Sequence, residues 1–525
     1  MSSTGIDDLF ARYGPRYRLY VSLTGMLAVI TAVLSATMIN VAIPDIMGAF
    51  GIGQDRAQWL STGFLAAAPV TMLLNDWAVR TFGMRNTYIG AMSMFALGAV
   101  IGGLSPSFNT MVVARVMQGA AAGFVQPLAM IIMFQVFPME QRGRAMGLFG
   151  VGVVSAPALG PTLGGVLVDL FSWREVFFAG IPVAVLGSGL ALLFMPPREE
   201  QAVRPRFDWL GFILLVTSVF SLLHGLSNGQ RQGWHTPEIT AFLLFSAFAF
   251  VAFIAWELFT PQPMMNVRLF RNPQFAAMAF VGSVLGVILF GSTYLIPLFV
   301  QTIQGYSATR AGLLVMPAGL ALMAAFPIGG RLSDRLPRHY LLCAGLMLYI
   351  VSTLLMTQAH TDTPFWTFAI WIIVGRVGMA FIMPTLSVSA LRSLSPAQMG
   401  QGSGTVNFVR QIGGAFGVNL LAVNLERETA VYADAYTALQ SYANSTTMAT
   451  TEILEKLLAQ SGLPFITQKA GALHLLGQSI YAQANMMAFR IDFLYIGIIC
   501  SVALLPAFFG ARDPSRKLNL RPRPA

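Results

Sequence analysis

The sequence predicts an all-α protein that crosses a membrane many times, and its composition and its pattern both support this fold class. Of its 525 residues, 55% are hydrophobic and only 10% are charged, whereas soluble proteins average about 25% charged residues. Long apolar runs alternate with short polar segments, and most of the 32 Lys and Arg residues lie in those segments. Soluble enzymes, nucleic-acid binders and disordered scaffolds are therefore nearly excluded.

Apolar runs long enough for a membrane helix, about 20 residues, recur along the whole chain. Because a helix satisfies its own backbone hydrogen bonds in lipid, each run is predicted to be a helix. The fourteen predicted spans are 20–43, 58–79, 87–104, 110–133, 145–169, 177–195, 209–226, 239–259, 275–300, 309–329, 340–358, 366–388, 403–423 and 489–509. Lys and Arg concentrate in the termini and in alternate loops, which predicts that both termini are cytoplasmic.

Sequence motifs of enzymes, metal sites and nucleotide-binding proteins are either missing or lie in the wrong structural context. Residues 225–229 match the G-x-S-x-G pattern of hydrolases, but they close an apolar helix and not a strand-turn-helix unit. The five His residues are scattered without metal-ligand spacing, and no phosphate-binding G-x-x-x-x-G-K-[ST] loop is present. The sequence therefore predicts no enzyme, no metal site and no ATP-driven transport. The net charge of +10 is spread over many short clusters, so nucleic acid is not expected as a partner.

The fifth predicted span carries the strongest motif. Gly152, Gly160 and Gly164 recur at multiples of four residues and lie along one side of a helix, where small residues allow a second helix to approach. Pro157 and Pro161 remove backbone donors and bend the helix. These residues predict a close interface between two moving halves, with ordinary small-residue packing as the alternative.

Several stretches together resemble a known transporter family. Residues 156–165 (APALGPTLGG) resemble the antiporter motif of the major facilitator superfamily. Other similar stretches are 37–44 (TMINVAIP), 115–120 (RVMQGA), 330–335 (GRLSDR) and 410–414 (RQIGG). The chain is similar to the fourteen-helix drug:proton antiporter branch, and residues 483–487 (QANMM) resemble EmrB-type multidrug exporters in particular.

This resemblance implies a fold and a division of the chain. The fold would be the major facilitator fold, with two six-helix bundles plus two inserted helices. The expected units are an N-terminal six-helix bundle (1–200), two inserted transmembrane helices (201–262), the first five helices of the C-terminal bundle (263–424), a periplasmic helical segment (425–488), and the last helix with a basic cytoplasmic tail (489–525). Residues 425–488 could alternatively be a solvated linker.

The resemblance also implies a function. The chain would be a secondary active multidrug efflux transporter of the bacterial inner membrane, exporting hydrophobic or amphipathic compounds by alternating access. It would need no cofactor, and the transmembrane proton gradient would supply the energy. EmrB-type exporters work with a periplasmic EmrA-like adaptor and a TolC-like outer-membrane channel. Two alternatives stay open, namely an exporter of one metabolite, fatty acid or siderophore, and a non-transporting membrane scaffold or sensor.

Candidate site residues fall into three groups. The expected substrate pathway contains Thr37, Asn40, Gln126, Tyr294, Gln301 and Asn407; expected coupling residues are Arg115, Gln118, His224 and Arg376; and Asp334, Arg335 and Arg338 are expected to latch the cytoplasmic side. A charged Arg inside a membrane is costly, so Arg115 and Arg376 are expected to have a functional role. The alternative is that each side chain reaches the membrane interface. A lone His near a helix end is more often a structural hydrogen-bonding group, which is the alternative for His224. These antiporters usually carry an acid where Ser35 stands, and no Asp or Glu lies near the middle of a predicted span.

Overall fold

The computed structural model of the protein describes residues 5–137, 156, 159–197, 207–261, 263–392, 394, 398–441, 444–462 and 464–511. Within these residues the secondary structure is helical and contains no strand. Eleven of the described helices are long and apolar enough to cross a membrane. The all-α membrane fold is therefore confirmed, while the number of fourteen crossings stays a prediction.

The described residues of the first half of the chain contain six main helices, which we call the N-half. They are α1 (Tyr17–Phe50), α2 (Trp59–Leu73), α3 (Met84–Gly103), α4 (Phe108–Val136), α5 (Leu159–Leu170) and α6 (Ile181–Phe194). The predicted second span is split, because a further helix, Asn75–Phe82, follows α2. The predicted sixth span is also split, into Glu175–Phe178 and α6.

Among the described residues, two further helices come next, which we call the inserted pair after the predicted division, and the helices that we call the C-half follow. The inserted pair is α7 (Trp209–Gln232) and α8 (Pro237–Phe259). The C-half contains α9 (Pro273–Thr302), α10 (Ala308–Arg335), α11 (Arg338–Met356), α12 (Phe365–Arg392), α13 (Met399–Ala438) and α15 (Phe465–Gly510), with α14 (Ser445–Gln460) between the last two. The predicted bounds of 403–423 and 489–509 were too short, because both helices continue into the segment 425–488.

Short polar side chains set where several helices begin. The side chain of Ser107 accepts a hydrogen bond from the first turn of α4, and Ser307 does the same for α10. Asn272 caps α9 and Asp208 caps α7 in the same way. Such caps satisfy backbone N–H groups that have no partner inside the helix. These residues therefore turn long apolar runs into separate helices with defined starts.

The two halves meet through α1 with α9 and through α2 with α13. At one end of the molecule the end of α5 contacts the start of α10, and the start of α2 contacts the end of α7. We call this the distal end. The inserted helix α8 exposes Leu244, Phe248 and Phe259. A helix that is apolar on its outer side is suited to contact with lipid.

Candidate functional site

A buried arginine ties together three helices of the N-half. Arg115 on α4 is 1% exposed, and its Nε donates to the Leu60 carbonyl oxygen of α2 at 2.8 Å. One Nη donates to Ser35 Oγ of α1 at 3.0 Å and to Gln118 Oε1 at 2.8 Å. The guanidinium also lies 4.5 Å from the centre of the Phe64 ring. Within the described chain this charge is held by neutral acceptors and an aromatic face.

The C-half repeats this arrangement. Arg376 on α12 is 6% exposed and donates to Thr293 Oγ1 of α9 at 3.3 Å. It also contacts the sulfur of Met379, three residues further on, at 3.2 Å. In each half, a buried arginine of the fourth helix therefore reaches a hydroxyl group of the first helix. The structure brings Arg115 and Gln118 together as a site but holds Arg376 in the opposite half.

The two predicted pathway residues of α1 face different neighbours. Asn40 Oδ1 accepts a hydrogen bond from Ser61 Oγ of α2 at 2.7 Å. Thr37 Oγ1 donates to the Val33 carbonyl oxygen of its own helix at 3.0 Å. A Cβ atom at Gly160 of α5 would lie only 2.0 Å from this hydroxyl oxygen. Thr37 therefore lies against α5, whereas Asn40 belongs to the contact of α1 with α2.

The remaining pathway candidates are spread over both halves. Gln126 Oε1 accepts from Gln411 Nε2 of α13 at 3.4 Å, so this pair links the halves. Tyr294 on α9 is fully buried, and its hydroxyl oxygen has no hydrogen-bond partner among the described residues. Gln301 bonds to the carbonyl oxygen of its own helix at position 297, and Asn407 is half-buried on α13.

His224 lies apart from these residues, on the inserted pair. Its ring packs against Phe220 of α7 and Phe242 of α8, with ring centres 5.8 Å and 4.4 Å away. Asn228, one turn further on, lies within 3.5 Å of its Nδ1. Phe220, Phe242 and Asn228 all belong to α7 and α8, so these contacts hold His224 on the inserted pair and not beside the arginine of either half.

The glycines of α5 divide between two neighbours. A Cβ atom at Gly164 would lie 2.8 Å from the Met38 carbonyl oxygen of α1, so Gly164, like Gly160, packs inside the N-half. A Cβ atom at Gly165 would lie 2.3 Å from the Ala308 carbonyl oxygen of α10. Gly165 therefore carries the contact between the halves.

The α10 side of this contact is equally close. A Cβ atom at Gly312 would lie 2.3 Å from the Pro161 carbonyl oxygen. Thr162 Oγ1 donates to the Gly312 carbonyl oxygen at 3.0 Å. Backbone therefore meets backbone where α5 and α10 cross. Pro161 and Gly165 of the sequence motif 156–165 form the α5 side of this contact, whereas Gly160 and Gly164, which were expected to form it, pack against α1. Gly312 carries no comparable signal in the sequence.

A carboxylate closes the same contact at the distal end. Asp169, near the end of α5, accepts hydrogen bonds from the backbone N–H groups of Ala308 at 3.2 Å and Thr309 at 2.8 Å. These groups form the first turn of α10, where a negative charge also interacts favourably with the helix dipole. One half of the protein thus caps a helix of the other half.

Replacing Asp169 with Asn is expected to loosen this contact. The amide keeps the shape of the side chain but loses the charge and one acceptor oxygen, at a cost of about 1–2 kcal/mol. We expect the fraction of molecules in which α5 and α10 are separated at the distal end to rise about 5- to 30-fold. Spin labels at Leu170 and Arg310 in a cysteine-free background would measure the distance between α5 and α10. Asp362→Asn, at an exposed acid elsewhere, is the control and should leave this distance unchanged. An unchanged distance in Asp169→Asn would contradict the role of Asp169 in closing the contact.

The remaining predicted gating residues are described only in part. Gly152 and Pro157 lie outside the described residues. Asp334 is on α10, but its side chain is not among those described. Arg335 is exposed at the end of α10, and Arg338 is half-buried at the start of α11. The predicted cytoplasmic latch therefore stays a prediction. Across the described residues, no cluster of His, Cys, Asp and Glu has the arrangement of a metal site.

Comparisons with known proteins agree with this architecture. Residues 25–418 match the family model described as Major Facilitator Superfamily. The MFS-type transporter YhcA of Bacillus subtilis is 29% identical over 498 residues, covering 94% of this chain and 93% of YhcA. The multidrug export protein EmrB of Escherichia coli K12 is 30% identical over 399 residues, covering 75% and 77%. A bacterial homologue of the human lysosomal transporter Spinster, solved inward-facing and occupied, matches with a TM-score of 0.61 at 17% identity, covering 96% and 100%.

Proposed function

The chain belongs to the major facilitator superfamily, and on that premise we propose that it is a multidrug exporter driven by the proton gradient. Membership makes it a multi-pass membrane transporter and not an enzyme. Transporters of this fold move substrate by rocking two halves around a site near the middle of the membrane. Hydrophobic or amphipathic compounds would enter from the cytoplasmic side or inner leaflet and leave at the distal end.

The contact between α5 and α10 is the observation that best supports this proposal. An alternating-access transporter needs one seam that seals tightly and can still separate. Gly165 and Gly312 let two backbones touch, and the Asp169 cap adds hydrogen bonds that can be broken without exposing an apolar core. In this proposal the distal end is closed in the structure and faces the periplasm, and both termini are cytoplasmic.

Transport by membrane vesicles tests direction and coupling together. Everted vesicles present the cytoplasmic face to the medium, so an exporter accumulates compounds inside them when their interior is acidified. We expect accumulation of ethidium, rhodamine 6G or Hoechst 33342, and its collapse when a protonophore removes the pH gradient. Vesicles without the protein are the control. Absence of any accumulation or exchange of these compounds would defeat the exporter proposal.

The segment 425–488 is proposed to bind a periplasmic adaptor. It extends α13 and α15 beyond the bundle and adds α14. Phe465 and Ile466, at the start of α15, are 87% and 90% exposed. Apolar side chains this exposed on a soluble segment favour a protein contact. EmrB-type exporters work with an EmrA-like adaptor and a TolC-like channel, and we propose the same kind of partners for this chain.

Replacing Phe465 and Ile466 together with Ser is expected to reduce capture of an EmrA-like adaptor at least tenfold, because both anchoring apolar side chains are lost. Copurification of a tagged exporter with the adaptor from crosslinked membranes measures the effect. Gln460→Ala, at an exposed polar position of α14, is the matched control. Undiminished capture by the double variant would show that this surface does not bind the adaptor.

A further inference from the structure

A carboxylate lies completely buried in the C-half, outside the sites described above. Asp492 on α15 has no exposed surface. Its Oδ1 accepts a hydrogen bond from Asn424 Nδ2 of α13 at 2.6 Å. Its Oδ2 has no hydrogen-bond partner among the described residues. A buried acid with one oxygen held and the other unoccupied can take up a proton without breaking its existing bond.

Asp492 lies in a largely apolar core, in which a few polar side chains follow the contact of α13 with α15. Two turns away in the contact of α13 with α15, Thr429 of α13 donates a hydrogen bond to Asn485 of α15 at 3.3 Å. The hydroxyl group of Tyr294 is also buried, and Tyr294 lies on α9, which packs against α15. In this contact the ring centres of Phe299 on α9 and Phe493 on α15 are 6.0 Å apart. The Tyr294 hydroxyl group also lacks a partner among the described residues.

The other ionisable groups around Asp492 are mainly acidic. Glu426 and Glu428 follow Asn424 on α13, and Asp55 lies in the α1–α2 connection. Arg490, on the same helix, directs its Nε to the carbonyl oxygen at position 357.

The remaining neighbour, α11, contributes no charge at this level. Its Thr353 lies against Gly497 of α15, where a Cβ atom would be 2.9 Å from the Thr353 hydroxyl oxygen. Asp492 thus forms no ion pair within the described chain. Intramembrane carboxylates of this kind are expensive to retain and typically mark proton relays.

We propose that Asp492 binds the proton that is exchanged for substrate, a role that rests on the proposed exporter function. With the distal end open, Oδ2 takes a proton from the outer solution and the side chain becomes neutral. After the halves rock, the O–H bond breaks, the proton leaves to the cytoplasmic solution and the carboxylate is restored. Asn424 stays bonded to Oδ1 throughout, and α15 packs against α9, which carries the predicted pathway residue Tyr294.

Other buried ionisable groups fit this role less well. Arg115 and Arg376 keep their protons, because a guanidinium is not deprotonated in proteins. Glu257 on α8 is also buried and has one unpartnered oxygen. Its other oxygen accepts from the Met265 N–H at 3.1 Å, in the connection that leads into the C-half. Glu257 therefore anchors a loop beside the inserted pair and makes a matched control.

The test compares driven transport with exchange in the full-length protein. Everted vesicles are assayed with whichever of ethidium, rhodamine 6G and Hoechst 33342 the wild type accumulates, and exchange is measured at equal pH on both sides. For Asp492→Asn we expect at least a tenfold loss of gradient-driven accumulation, with exchange within twofold of wild type. For Glu257→Gln we expect both activities to stay within twofold.

A second variant keeps the acid and changes only its partner. Asn424→Ala removes the amide that stabilises the charged carboxylate, so we expect the half-maximal pH of driven transport to move upward. Driven accumulation retained by Asp492→Asn would overturn the proposal. So would loss of both activities in that variant with an unshifted pH profile in Asn424→Ala, since that indicates a structural role. A wild type that neither accumulates nor exchanges the compounds would instead refute the exporter function itself.

Discussion

Gly312→Leu is expected to abolish uphill export while the protein still inserts into the membrane. A Cβ atom at this position would lie 2.3 Å from the Pro161 carbonyl oxygen, and the rest of the Leu side chain would have to enter the same contact. Neither backbone can move without separating α5 from α10. Overpacking of this kind typically costs about 1–3 kcal/mol. That cost falls only on the conformation in which the distal end is closed.

The expected size follows from the equilibrium between the two conformations. A penalty of 1–3 kcal/mol on one state shifts the population about 5- to 150-fold toward the other. We therefore expect accumulation in everted vesicles to fall at least about fivefold, and labels on α5 and α10 to report a wider distal end. Gly165→Leu should behave in the same way, because it meets the Ala308 carbonyl oxygen from the opposite side.

Gly189→Leu is the matched control for both variants. Gly189 is exposed on α6, and a Cβ atom there would have no neighbour within 4 Å. We expect wild-type export and wild-type abundance in the membrane. If Gly312→Leu exported normally at equal abundance, the contact of α5 with α10 would not be part of the transport cycle. Gly160→Leu should also abolish efflux without preventing insertion, through its clash with Thr37 inside the N-half.

Arg115→Lys is expected to lose export at least tenfold although it keeps the positive charge. The guanidinium reaches the Leu60 carbonyl oxygen, Ser35 and Gln118 at once, and its flat face lies over Phe64. An ammonium group is a single point of charge and cannot reproduce this planar arrangement. Three helices would therefore lose their common partner, and the two conformations would no longer be held in balance.

Arg115→Met separates the effect of charge from that of geometry. It removes the donors as well, so the Leu60 carbonyl oxygen and the Gln118 amide would be left buried with fewer partners, at about 1–3 kcal/mol each. We expect it to lose export and to melt at a lower temperature than Arg115→Lys. Arg174→Lys, at an exposed arginine that stacks on Trp173, is the control and should export within twofold of wild type. Normal export by Arg115→Lys would mean that charge alone suffices.

Much of the architecture could be predicted from the sequence because hydropathy is a local property of the chain. Apolar runs identify membrane helices, and Ser or Asn before a run marks where a helix starts. The bounds of α13 and α15 were missed because their outer parts are polar, so a hydropathy pattern ends where the helix does not. The motif around Gly160 and Pro161 was readable for a similar reason, since small residues at helical spacing are visible within one segment.

The candidate site could be predicted only in part, because its contacts join residues far apart in the chain. Arg115 and Gln118 are three residues apart on one helix, so their association follows from spacing alone. Asp169 and Thr309 are separated by 140 residues, and no local pattern tells which helix start the carboxylate meets. The position of Asp492 near the end of a predicted span also concealed its complete burial, since burial depends on which helices surround it.

The sequence by itself therefore determined that this is a helical membrane transporter, that α5 packs closely against a neighbouring helix, and that arginines lie within the membrane spans of the protein. Tertiary structure alone decided that Gly165 and Gly312 bring the two halves into backbone contact and that Ser35 and Thr293 receive the two arginines. It also decided that Asp492 is enclosed by α9, α11 and α13. The physical reason is that side-chain chemistry and helix periodicity act over a few residues, whereas a seam between halves depends on how whole helices cross.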